Sequence, residues 1–243
     1  MNSARLAAIG GILSLLIWSI QSNVVSDTPN PQETPKHPPK LPRPLIRPRH
    51  EADPKSFVNA RSHDGEELAA DLPGEFHHKN IGSRIDGAGM CVFTSIEHAA
   101  TWHGIDSFIG FRDWCASKYP GGGYPSKVDK LIKAYCDAKK IPIPPYKQWE
   151  GKDPDDLLSR IDTSGRMACV TYGYSPRYHG RISHMVNCCK FGGKYAVVLD
   201  NNFPGEDKYE WMTESELVQR MKSGSNSAWI FVWLDPAPPP MPK

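Results

Sequence analysis

"GAGMCVFTSIEHAATWHG", residues 87–104, is the stretch on which the fold turns. Two glycines and a methionine lead into Cys91, and an apolar run with helical spacing follows. Phe93, Ile96, Ala99 and Ala100 fall on one side, and Gly104 stops the run. A helix over 91–103 is expected, with Cys91 in its first turn. A thiol placed there sits by unsatisfied N–H groups and the positive end of the helix dipole. Both favour the thiolate, which is the nucleophilic form. The competing reading is a small core residue that happens to open a helix, since free cysteines are commonly buried. Deciding between the two requires a base elsewhere in the chain.

Downstream, the pattern first stays helical. Residues 107–119, "SFIGFRDWCASKY", read as a second helix and "PGGGYP", 120–125, as a loop. Ser126 is then expected to cap a helix with Val128, Leu131, Ile132 and Tyr135 on one face. Residues 153–161 carry a cap at Asp153, a proline in the first turn and acids near the positive helix end. After that the period shortens towards two. Strands are expected over 166–174, 184–191 and 194–201, the last two joined by Gly192-Gly193 as a hairpin. Thr213-x-x-Glu216 reads as a capping box opening a further helix, and "AWIFVWL", 228–234, as a final buried strand. Helices first and a mostly antiparallel sheet afterwards make an α+β arrangement, with two halves that could pack around a cleft.

Upstream, the 23 prolines of this 243-residue chain are unevenly spread and divide it. Leu6–Ile20 has no charge and follows Arg5, which fits a signal-peptide core or a short membrane anchor over residues 1–26. Prolines at 29, 31, 35, 38, 39, 42, 44 and 48 exclude helix and central strand, so 27–71 is expected to be an extended, disordered spacer. The folded domain is placed at 72–235, with a disordered tail over 236–243. Export or tethering puts that domain outside the cytoplasm. Its basic arm could graze an anionic surface.

Nine histidines compete to be the base. His37, His50 and His63 lie in or near the arm. His77 and His78 read as solvated turn residues. His98 lies about 10 Å along the helix from Cys91, out of reach of the thiol. His184 begins a strand beside a hairpin whose second arm ends in Asp200. A strand-borne imidazole next to a carboxylate is the arrangement that fixes its tautomer.

These two blocks resemble the papain-like cysteine peptidases. "GAGMCVFTS" is similar to the family's Gly-x-Cys at the start of the central helix. "HMVNCCKFGGKYAVVLDNNFPG" is similar to its second block, with His, an apolar strand, a glycine turn and a strand ending in the orienting residue. The resemblance spans about Gly82 to Asp235. It implies an α+β papain-like fold whose N-terminal helical half carries Cys91 and whose C-terminal antiparallel sheet carries His184 and Asp200. Cys91 would be the nucleophile, His184 the base and Asp200 the orienting residue, an aspartate as in the bacteriocin-processing branch. Asn201 is a rival for that last role, and strand alternation lets only one of the two face His184.

The chain also departs from the family. Ile85 stands where a Gln oxyanion donor is usual, and losing such a donor costs about 3 kcal/mol of transition-state stabilisation. Asn202 stands where a Trp usually screens the His–Asn bond, leaving Phe203 or Trp211 to cover it. The expected function is an exported or membrane-tethered peptidase or amidase acting on a peptide or protein substrate. A non-catalytic peptide-binding module and a transamidase using the same triad are the alternatives. Other chemistries find little support. A formal net charge of +2 gives no basic field for nucleic acid. Six cysteines include no C-x-x-C pair, and no H-E-x-x-H, phosphate-binding loop or dinucleotide fingerprint occurs, so no metal or cofactor is expected. In an exported domain, Cys115 and Cys136 could form a disulfide.

Overall fold

The Cys91 helix is the element around which the chain packs. A computed structural model describes residues 60–72, 74–81, 90–161, 166–205, 208–223 and 227–234. Helix α1, Cys91–Trp102, is buried at every position except Thr101, so it is a central helix rather than a surface one. Its polar residues are tolerated there because each is hydrogen-bonded. Thr94 Oγ1 donates to the Met90 carbonyl at 2.9 Å, and the Glu97 carboxylate accepts from the Arg112 N–H at 2.6 Å.

The expected helix over 107–119 is broken in two. A 3-10 turn, Asp106–Phe108, precedes α2, Phe111–Lys118, because Gly110 between them takes φ +88°. Helix α3, Pro125–Lys139, starts two residues earlier than expected. Tyr124 is its extended N-cap and Pro125 its first helical residue, so Ser126 is not the cap. Gly123 is required just ahead of it, since a Cβ at that position would lie 2.6 Å from Val92 of α1. Phe108, Phe111, Tyr135 and Trp233 pack together beneath α1, with Phe108 and Trp233 edge-on at ring centroids 4.7 Å apart. Burying each such ring contributes about 2 kcal/mol.

The sheet follows. Its strands are β3 (Tyr146–Gly151), β4 (Ala168–Ser175), β5 (Gly180–Lys190), β6 (Tyr195–Leu199), β7 (Tyr209–Thr213) and β8 (Ala228–Trp233). All pairings are antiparallel, in the order β3-β8-β4-β5-β6-β7. The β5–β6 connection turns through Gly192 and Gly193, at φ +130° and +88°. Residues of β5 alternate between two apolar cores. Met185 and Cys189 join the one built on α1, while Val186 and Cys188 join the other. That second core is closed by α4 (Pro154–Ser159) and α5 (Glu214–Lys222). The α+β reading therefore holds, with helices on both faces of the sheet.

Capping is partly as expected. Asp153 Oδ1 accepts from the Asp155 N–H at 3.1 Å, and Thr213 Oγ1 from the Glu216 N–H at 3.2 Å. Only half of the capping box forms, because the Glu216 carboxylate turns to Arg220, 2.6 Å away.

The boundary placed at Asp71 is corrected by residues 60–71. They form a hairpin, β1 (Ser62–His63) and β2 (Glu66–Glu67), which is followed by a buried run containing Leu68, Ala70 and Leu72. The N–H groups of Ala69 and Ala70 both donate to the Cys189 carbonyl, and Lys190 pairs with Glu66 at 3.2 Å. The last part of the expected spacer thus belongs to the domain. All six thiols are free, so the Cys115–Cys136 bridge is not formed. No helix among the described residues is long and apolar enough to cross a membrane. The apolar stretch Leu6–Ile20, the proline arm up to residue 59 and the oxyanion-position residue Ile85 lie outside the described residues.

Candidate active site

Three elements meet at the first turn of α1. The helix brings Cys91, β5 brings His184, and the end of β6 brings Asp200. His184 lies in the middle of β5 rather than at its start, because the strand begins four residues earlier than expected, at Gly180. Its Nε2 lies 2.8 Å from Asp200 Oδ1, and both side chains are buried. That contact makes Nε2 the protonated nitrogen and leaves Nδ1 for the thiol. The Cys91 side chain is near enough to the same ring to act on it as a hydrogen-bonding partner and as a charge.

Strand alternation separates Asp200 from Asn201. Asp200 faces His184, while Asn201 turns to the opposite side and ties the site together. Its Nδ2 lies 3.2 Å from the Cys91 carbonyl, 2.9 Å from Ser95 Oγ and 3.0 Å from the Met185 carbonyl. Ser95 Oγ also donates to the Met185 carbonyl at 3.0 Å. Helix α1, strand β5 and the end of β6 therefore share one buried polar joint. Neither Ser95 nor Asn201 could be given this joining role from spacing alone.

The Asp200 carboxylate is held by four donors. Besides His184, Tyr172 Oη reaches Oδ2 at 3.0 Å, and Tyr178 Oη reaches Oδ2 and Oδ1 at 2.8 and 2.9 Å. The Asn202 N–H reaches Oδ1 at 2.9 Å. Burial opposes ionisation of Asp200, yet the His184 ring, the Asn202 N–H and the Tyr178 hydroxyl hold its carboxyl below the ordinary range. Burial likewise opposes charge on His184, and the Asp200 carboxylate and Cys91 overcome it, raising the imidazole well above its ordinary value. The pair is therefore an imidazolium beside a carboxylate. Burial pushes Cys115 and Cys188 up to about 12, and it raises Cys136, Cys169 and Cys189.

The screen over the His184–Asp200 contact is Tyr178, with Tyr172 on the other side. Their ring centroids lie 5.5 and 5.7 Å from the His184 ring, edge-on. Phe203 contributes indirectly by packing on Tyr178 at 5.5 Å. Trp211 does not, since it packs instead on His63 and Tyr195, at 5.6 and 6.0 Å. His77 is not a solvated turn residue. It is 5% exposed, its ring packs edge-on against His98, and burial beside the Lys208 cation lowers it to about 4. The segment bearing it is pinned to the site's edge, with the Asn80 N–H donating to the Asn201 carbonyl at 2.7 Å.

No protein-family model matches the chain, and no curated protein matches it. Among solved structures, a Bacillus anthracis protein described as a C39-like peptidase resembles it over 69% of this chain and 98% of that chain, at 11% sequence identity and a TM-score of 0.41.

Proposed function

We propose that the protein is a papain-like cysteine peptidase or amidase, with Cys91 as nucleophile, His184 as general base and acid, and Asp200 as the group that orients and charges the imidazole. The observation that carries the reading is the convergence of these groups. A thiol at a buried helix start acts on an imidazole whose far nitrogen is held 2.8 Å from a carboxylate.

The Cys91 thiolate attacks a peptide or amide carbonyl carbon, and the carbonyl electron pair moves onto oxygen. As the tetrahedral species collapses, the C–N bond breaks and the His184 imidazolium gives its proton to the departing amine. The acyl group remains on sulfur as a thioester. Neutral His184 then takes a proton from water as the water oxygen adds to the acyl carbon. The C–S bond breaks, and the thiolate–imidazolium pair is restored. The Cys91 N–H at the open end of α1 is one donor to the oxyanion. We further propose that residues 1–26 direct export or tethering and that the domain works outside the cytoplasm on peptide or protein substrates.

Alkylation with iodoacetamide at neutral pH tests the chemistry. Cys91 should label at least about tenfold faster than any other cysteine, because burial keeps the other five protonated. His184→Ala, checked for native circular dichroism, should remove that advantage. Cys91 labelling as fast in a folded His184→Ala variant as in the wild type would leave Cys91 as an ordinary core thiol and the protein as a binding module at most.

A further inference from the structure

Asp200 accepts more hydrogen bonds than orienting an imidazole requires. One donor, the His184 Nε2–H, fixes the tautomer. The two phenols add something else. Tyr172 stands directly opposite His184 in the β4–β5 register and is buried, while Tyr178 comes from the turn between those strands and is half-buried. Together they donate to both carboxylate oxygens. Tyr178 Oη is itself aimed by Asn202, whose Nδ2 donates to it at 2.9 Å. Burial and the nearby Asp200 charge raise both phenols, so both stay protonated and donate at every pH at which the site could work.

A buried aspartate poses a problem to the base beside it. A full negative charge in a medium of low effective dielectric holds an imidazolium tightly, and an imidazolium held that way does not release its proton to the departing amine. Hydrogen bonds to a carboxylate delocalise its charge and weaken that hold. We propose that Tyr172 and Tyr178 are positioning residues that tune the base, drawing down the Asp200 charge so that His184 both pairs with the thiolate and gives up its proton in turnover. The proposal rests on the peptidase reading of Cys91 and His184. The remaining groups around the pair leave this role to the tyrosines. Cys91 approaches from α1, and His77 approaches from the segment before it. Glu210 on β7 acts on Asp200 as a like charge, but it is paired with Arg220 of α5 at 2.7 Å. Arg177 lies over the Phe203 ring at 3.8 Å. The two phenols are the neutral side chains whose hydrogens point at the carboxylate.

Tyr178→Phe and Tyr172→Phe, singly and together, remove one hydroxyl each and keep the ring packing. The direct readout is the His184 ring titration by NMR. Each single variant should raise it by about half a unit, and the double variant by more. The pH profile of Cys91 alkylation should move to higher pH in step. Packing alone would leave the titration where it is, so an unchanged or lowered value in a folded variant overturns the proposal. Tyr178 is half-buried, so its variant tests the idea even if Tyr172→Phe does not fold. If wild-type Cys91 alkylation proves independent of His184, the peptidase reading fails. The NMR titration still decides whether the tyrosines set the charge felt by His184.

Discussion

Two histidines lie buried on neighbouring elements, and the protein treats them in opposite ways. His184 on β5 is raised and charged, whereas burial lowers His98 on α1 well below its ordinary value. Their partners account for the difference. His184 Nε2 meets a carboxylate, while His98 Nδ1 meets the amide oxygen of Asn187 at 3.2 Å. His98 Nε2 also accepts the His78 N–H at 3.0 Å, so a second ring proton would set two donors against each other. One ring is thus fixed as the neutral Nδ1–H form and serves as a structural strut. The other is a charged ring, with its Nε2–H held on Asp200 and the Cys91 side chain within reach. Burial alone therefore does not fix a histidine's charge; the charge of its partner does.

The comparison is broken most severely at Asp200. Asp200→Asn keeps an acceptor for Nε2–H but removes the charge, leaving His184 in the environment His98 has now. Its titration should fall by about two units or more, and Cys91 alkylation at neutral pH by about 100-fold. NMR titration and rate measurements on the same sample check both; an unmoved titration would mean that Asp200 does not set the charge state. The reverse exchange should act less strongly. Asn187→Asp offers His98 a carboxylate, but it replaces an Nδ2 that donates to the Ser95 carbonyl at 2.8 Å with an oxygen facing that carbonyl. The His78 N–H still occupies Nε2. A destabilisation of about 2 kcal/mol in urea melts is expected, with only a partial rise in the His98 titration.

How much of this could be read in advance follows from the range of each contact. The Cys91 helix and the strand ending at Asp200 are local patterns, visible in periods of 3.6 and two residues. The convergence of Cys91, His184 and Asp200 was proposed from two short blocks of sequence. Tyr172 carried no such signal, because it matters only through its place opposite His184 in the strand register. Tyr178 depends on a 3-10 turn, Pro176–Tyr178, that aims its phenol back at the site. His77 looked solvated because its burial comes from residues distant in sequence, Lys208 among them. Strands β3 and β7 passed unnoticed for a related reason: both are edge strands, and each mixes charged residues with aromatic ones. The hairpin at 62–67 docks through Lys190 and Lys194, and the run after it through the Cys189 carbonyl, partners more than a hundred residues away.

The smallest expected effect is also the one that sets the two histidines against each other in a single curve. A histidine lowered by folding leaves the unfolded chain binding the extra proton. His98, and His77 at about 4, therefore cost stability as pH falls below about 6.5. His184 is raised, so its contribution is fully present below about 6.5 and is lost as pH rises through its folded value. Asp200 is lowered, and its contribution is kept above about 3.9 and lost in stronger acid. Stability should accordingly peak near pH 6.5, with each histidine contributing a slope of up to about 1.4 kcal/mol per pH unit on its own limb. Urea midpoints measured from pH 4 to pH 9 should trace this dome. His184→Gln should flatten the alkaline limb and His98→Gln the acid limb. If either substitution flattens the other limb, the two rings have been assigned the wrong charges.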